Sequence, residues 1–131
     1  MNTKLRKIFA EISAGELVDK ITILQIKKEK ITNSDKLIDI DKELESLNET
    51  FKEYIPVDRE INDLSNELKN INFKLWDIED AKRSLEKKKE FDKEFIELAR
   101  KVYKFNDERA KLKLQINIRL GSNIKEVKSY K

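Results

Sequence analysis

Residues 58–120 read DREINDLSNELKNINFKLWDIEDAKRSLEKKKEFDKEFIELARKVYKFNDERAKLKLQINIRL, and this stretch decides the fold. Its apolar residues fall at Ile61, Leu64, Leu68, Ile71, Leu75 and Ile78, miss a slot at Lys82, and return at Leu85. Steps of three and four keep one helical stripe turned toward a partner, as in a coiled-coil seam. Carried further, the stripe would land on Lys89 and Asp92. A second stripe begins one residue out of phase, at Phe95, Leu98, Val102, Phe105, Arg109, Leu112 and Ile116. The phase break predicts two long helices, about 58–89 and 92–120, folded into an antiparallel hairpin with a reversal near Glu90.

Composition supports that reading. Of 131 residues, 42% are charged and 38% hydrophobic, with Gly 2 and Pro 1. About half of the chain is Ala, Glu, Lys, Leu and Arg, the usage of long helices. So few turn residues leave no room for a β-rich fold, and the class is all-α. The chain is one domain by length.

Upstream, Ser13-Ala14-Gly15-Glu16 has the form of a capping box, with Ser13 covering first-turn amides and Glu16 reaching back to it. Ile12 and Leu17 stand at the spacing of a hydrophobic staple. This predicts a first helix over about 13–31. Its Leu17, Val18, Ile21, Ile23, Leu24 and Ile26 point nearly all round the axis, so it should be buried on more than one side. Its polar Glu16, Asp19, Lys20, Gln25 and Lys28 are then expected to be partly buried. Asn33 or Ser34 caps a second helix over about 34–54, which carries Leu37, Ile40, Leu44, Leu47, Phe51 and Tyr54. Pro56 stops it. Asp58 and Asp92 are the expected caps of the third and fourth helices, with Phe91 and Ile96 at staple spacing, and Gly121 ends the fourth. Residues 4–12 allow a short extended segment. Residues 121–131 form a polar tail in which Ile124, Val127 and Tyr130 can dock.

Charge excludes several functions. Lys and Arg number 29, Asp and Glu 26, giving +3, and the two signs are interleaved. A nucleic-acid binder gathers its cations on one face, so none is expected as partner. With His 0 and Cys 0, the chain has no disulfide, thiolate nucleophile, Cys/His zinc site or histidine base. No cofactor is expected. No apolar run reaches the roughly 18 residues of a membrane span, and Lys4, Arg6 and Lys7 precede no signal-peptide core, so a cytoplasmic protein without a membrane partner is expected.

The fourth helix carries the least ordinary chemistry. Beside its apolar stripe run Tyr103, Asn106, Lys113 and Asn117, and Arg109 occupies a stripe position itself. Polar groups on a core-facing strip must be paired, so they form a network or line a cavity. The reversal near Glu90 sets Arg109 opposite Ile71 and Asn72, which offer no acid. Glu16 or Asp19 on the first helix is therefore the expected partner. Together Glu16, Asp19, Lys20, Tyr103, Asn106, Arg109, Lys113 and Asn117 define the candidate site, a structural network or a pocket for an anionic small molecule. Trp76 with Asp77, Glu79 and Asp80 has the residue types of a magnesium site, although pairing with Lys74 and Arg83 on a solvated helix is the ordinary outcome. Glu94, Glu97 and Asp107 match only part of the acidic pattern of helical pyrophosphohydrolases. A cationic pocket in the manner of helical mutases would draw on Arg83, Arg100, Arg109, Lys20, Lys28 and Lys113.

Four ordered stretches also carry a resemblance: Gly15–Leu24 (GELVDKITIL), Leu75–Asp80 (LWDIED), Phe95–Asn117 (FIELARKVYKFNDERAKLKLQIN), and Gly121-Ser122 followed by Glu126–Tyr130. In these the chain resembles an uncharacterised family of short all-helical bacterial and phage proteins. The resemblance implies a shared helical fold and brings no activity with it. The second and third helices carry more seam than one copy is expected to cover, which favours a homo-oligomer, with a dimer first. The function expected is that of a structural or protein-interaction module. The alternative is a small-molecule binder or histidine-free, metal-independent enzyme acting on an anionic substrate.

Overall fold

The computed structural model describes residues 4–129 and contains four helices: α1 Ala14–Lys30, α2 Ser34–Tyr54, α3 Arg59–Lys87 and α4 Lys93–Leu120. No strand forms among the described residues, and residues 4–12 run as exposed irregular chain up to the buried cap Ser13. The extended segment allowed there has no strand beside it to pair with. Tyr130, expected to dock with the tail, lies outside the described residues.

The caps follow side-chain chemistry. Ser13 Oγ accepts from the Glu16 amide at 3.1 Å, Asn33 Oδ1 from Lys36, Asp58 Oδ1 from Ile61 and Asp92 Oδ1 from Glu94. Half of the expected capping box is missing, because the Glu16 carboxylate goes to Lys113 at 2.7 Å instead of returning to Ser13. A charge-assisted bond to a buried ammonium outcompetes a neutral amide. Neither expected staple closes. Ile12 remains exposed, and so do Phe91 and Ile96, with Phe91 set edge-on against Phe95 at 5.3 Å.

α1 is the centre of the molecule. It packs against each of the other three helices, while α3 and α4 pack on each other as the long hairpin. Val18 meets Leu64 and Leu68, Thr22 meets Asn72, and Lys30 reaches Asp77, so α1 runs parallel to α3. Gly15 meets Asn117 and Asp19 meets Arg109, so it runs antiparallel to α4. One apolar cluster joins α1 to α2 through Leu17, Ile21, Leu24, Ile40 and Leu44. The other joins α1 to the hairpin through Val18, Leu64, Leu68 and Ile116, and Phe51 touches both. Helix α1 is apolar nearly all round because all its sides are used.

The α3 stripe is covered by its own chain: Ile61, Leu64, Leu68, Ile71, Leu75, Ile78 and Leu85 are all buried. On α3 this leaves no open seam, whereas on α2 only Ile40 and Leu44 of the stripe are buried and Tyr54 at its end is exposed. At 17 residues α1 spans roughly 26 Å against roughly 43 Å for α3. The hairpin tip therefore rests on two helices alone, and Phe95, Leu98, Val102 and Phe105 stay half-buried there.

At that tip α3 stops at Lys87, two residues earlier than the periodicity predicts. Glu90 donates its amide to the Leu85 carbonyl and Lys89 donates to Glu86, which is the Schellman pattern. Lys89 takes the left-handed position at φ 57°, where a Cβ is strained. Lys89→Gly should raise the unfolding free energy by about 0.5–1 kcal/mol, since relief of that strain outweighs the entropy glycine adds to the unfolded chain. Urea titration of the two proteins checks the sign.

Candidate functional site

Asp19 is the junction of α1, α3 and α4, with only 1% of its side chain exposed. Its Oδ1 accepts from Asn72 Nδ2 and from Arg109 Nε, each at 2.9 Å. Its Oδ2 accepts from Arg109 NH2 and lies 3.9 Å from Lys113 Nζ. The guanidinium thus grips the carboxylate with two parallel donors, the fork that arginine alone offers. Asn72 Nδ2 also donates to Thr22 Oγ1, which donates in turn to the Asp19 carbonyl at 2.8 Å.

One turn earlier on α1, Glu16 accepts from Lys113 Nζ at 2.7 Å, and Glu126 of the tail accepts from the same nitrogen at 2.7 Å. In the same first turn of α1, Asn117 Oδ1 accepts from the Gly15 amide at 2.6 Å and Ser122 Oγ from the Ala14 amide at 3.1 Å. With Ser13 on the Glu16 amide, three otherwise unpaired first-turn donors are satisfied, two of them by α4 and the tail. Gly15 permits this approach: a Cβ there would overlap the Lys113 carbonyl oxygen and press on Asn117.

Arg109 is held above its usual pKa by the hydrogen bond to Asp19, against the opposing effect of burial. Burial pulls Lys113 down, but its bonds to Glu126 and Glu16 raise it on balance, so both remain cationic. Lys113 and then Lys128 hold Glu126 well below the carboxylate range, at about 2.

Of the residues expected in the site, the structure brings together Glu16, Asp19, Arg109, Lys113 and Asn117. Lys20 stays exposed, 3.9 Å from Glu16. Asn106 is exposed and meets Arg109 NH1 only at 3.5 Å. Tyr103 is 57% exposed and stands outside the network. A stripe with a 3.5-residue period drifts by about 20° per heptad on a straight helix, so two heptads from Asn117 carry it away from α1. Asn72, Thr22, Ser122 and Glu126 join unannounced. Glu126 lies in one of the family-like stretches, and Gly15 early in a helix is itself a sign of close approach. Nothing marks Asn72 beyond its place next to Ile71. The acidic stretch on α3 does not act as one group. Asp77 pairs with Lys30 at 3.7 Å and Glu79 with Lys82 at 3.7 Å, rather than with Lys74 and Arg83.

Beside Arg109 lies an open cleft of about 530 Å³ between α1, α3 and α4. Ile26 and Leu75 floor it, Ile23 and Trp76 wall it, and Glu79, Asp80 and Arg83 reach its rim.

Fold and network define an all-α four-helix protein whose first helix is locked by a closed ionic cluster. The chain belongs to the family of unknown function DUF6165, whose model matches residues 8–131. No curated protein and no solved structure matches it.

Removing either Asp19 or Arg109 alone leaves its partner desolvated and should cost about 3 kcal/mol. A double-mutant cycle of Asp19→Asn with Arg109→Met, read by denaturant unfolding, should give a coupling of about 1 kcal/mol or more. Glu126 gives a pH signature. A carboxylate whose pKa falls on folding stabilises the fold above its ordinary value near 4.5, and that contribution is lost as the pH drops toward about 2. The stability difference between the parent chain and Glu126→Gln should be constant above about pH 5 and vanish near pH 2. Urea titrations across that range measure it.

Proposed function

We propose that this chain is a structural, self-associating interaction module, and that its polar cluster is a latch rather than a catalytic centre. One observation carries the reading: the cluster closes on itself. Asp19 is spent on Asn72 and Arg109, and Lys113 on Glu16 and Glu126. A general acid, base or nucleophile needs a face open to substrate, and these groups have given theirs to one another. No helix among the described residues is long and apolar enough to cross a membrane. A cytoplasmic setting is part of the proposal. Self-association is supported by apolar surface left outside the core, at Leu5, Ile8 and Phe9 before α1 and at Phe91 and Ile96 beside the hairpin turn.

A second reading, binding of an anionic small molecule, is favoured by the cleft beside Arg109. Arg83 reaches that cleft without an ion pair to any described residue. Light scattering on a sizing column should give a multiple of the 15.6 kDa chain mass. A thermal-shift screen of phosphorylated sugars, nucleotides and dicarboxylates should leave the melting temperature unchanged. A monomer stabilised by one of these anions would reverse the order of the two readings.

A further inference from the structure

Leu5, Ile8 and Phe9 are 83%, 80% and 87% exposed, on a stretch that joins no helix or strand. Three large apolar side chains within five residues are more than isolated surface hydrophobes. The stretch is also basic, since Lys4, Arg6 and Lys7 precede its first acid, Glu11. In an extended chain Leu5, Lys7 and Phe9 share one side. The root is held at the other end, where Glu11 accepts from Asn123 of the tail at 2.6 Å. Residues 4–10 form the free arm.

The cleft has complementary chemistry. Its Ile23 and Trp76 walls are half-buried, and Glu79 and Asp80 stand at its rim. Arg109 borders it with its charge already matched by Asp19, and Glu79 is paired with Lys82 at 3.7 Å, so Asp80 and Arg83 are the rim charges left without an ion pair to a described residue. We infer that the arm of one copy docks in the cleft of a second copy, with Leu5 and Phe9 on Ile23 and Trp76, and Lys7 against Asp80. The inference rests on the self-association proposed above and names its contact surface.

A second copy fits better than the arm's own cleft. Ile23 and Ile26 lie ten to thirteen residues along α1 from Ser13, roughly 15–20 Å away. The free arm spans at most about 24 Å fully extended, and it starts beyond Ser13, pinned at Glu11. Turning back would use nearly all of its reach. A two-fold partner meets the arm without that reversal, and each arm then fills one cleft in a closed, reciprocal contact.

Trp76 is the chain's one tryptophan, so its emission reports what fills the cleft. On dilution series of the full-length chain, a blue shift of that emission should follow the doubling of mass in light scattering. Phe9→Asp should weaken the dimer at least about tenfold and abolish the shift, with helical content unchanged by circular dichroism. Lys7→Glu and Asp80→Lys should each weaken association, and the double variant should recover it. A dimer untouched by Phe9→Asp, or one whose Trp76 emission does not move with mass, overturns the docking and leaves self-association standing. A Trp76 difference between parent and Phe9→Asp that is independent of concentration places the arm in its own cleft and also overturns it. A monomer throughout overturns both readings.

Discussion

The fold depends on one buried carboxylate. Asp19 lies on the helix that touches all the others, away from water, and an uncompensated charge there would be too costly to keep. Compensation comes from two directions at once, Asn72 of α3 and Arg109 of α4. These partners fix the rotation of α1 about its axis and its height along the hairpin. Apolar packing alone would not do so, because a helix that is apolar nearly all round fits its neighbours in several rotations. The ionic junction removes those alternatives, the best-supported use of buried polar groups.

Around that junction the contacts come in layers, one helical turn apart on α4 at Arg109, Lys113 and Asn117. Ala14 and Gly15 meet Ser122 and Asn117, Glu16 meets Lys113, and Asp19 meets Arg109. Each layer pairs an α1 group with one from α4 or the tail, at spacings set by two antiparallel helices in contact. The tail belongs to the same arrangement. Glu126 supplies the second carboxylate to Lys113, and Ser122 closes an amide of α1. Residues that look like a polar appendage complete the burial of an ammonium.

Much of this was legible from residue types. The phase break between Leu85 and Phe95 separates two helices because a stripe cannot shift by one residue inside a single rod. Arg109 in an apolar slot implies a buried acid, and the absence of one near Ile71 and Asn72 directs it to the first helix, where Asp19 stands. What sequence could not supply is the contribution of neutral groups. Asn72 carries no charge to be balanced, and its role exists only once α1 lies parallel to α3. Tyr103 falls outside the network for a geometric reason, since a stripe of 3.5-residue spacing turns about a straight helix and leaves the face toward α1. Glu16 shows two local rules in competition, the capping return and the ion pair, and the buried lysine decides it.

The central helix also has a temporal consequence. α1 is made first, yet its polar partners lie 53 residues away at Asn72 and 90 away at Arg109. During synthesis only α2 can reach it early, through the Leu17, Ile21 and Leu24 side, and its remaining faces stay wet until the hairpin emerges. The hairpin is a local structure that can form by itself, whereas α1 must wait and insert. The nascent chain therefore carries an exposed helix, already apolar on its open faces and bearing an unmatched Asp19, until the last third of the molecule has left the ribosome. That interval, rather than the finished bundle, is when the molecule is most exposed to misassembly.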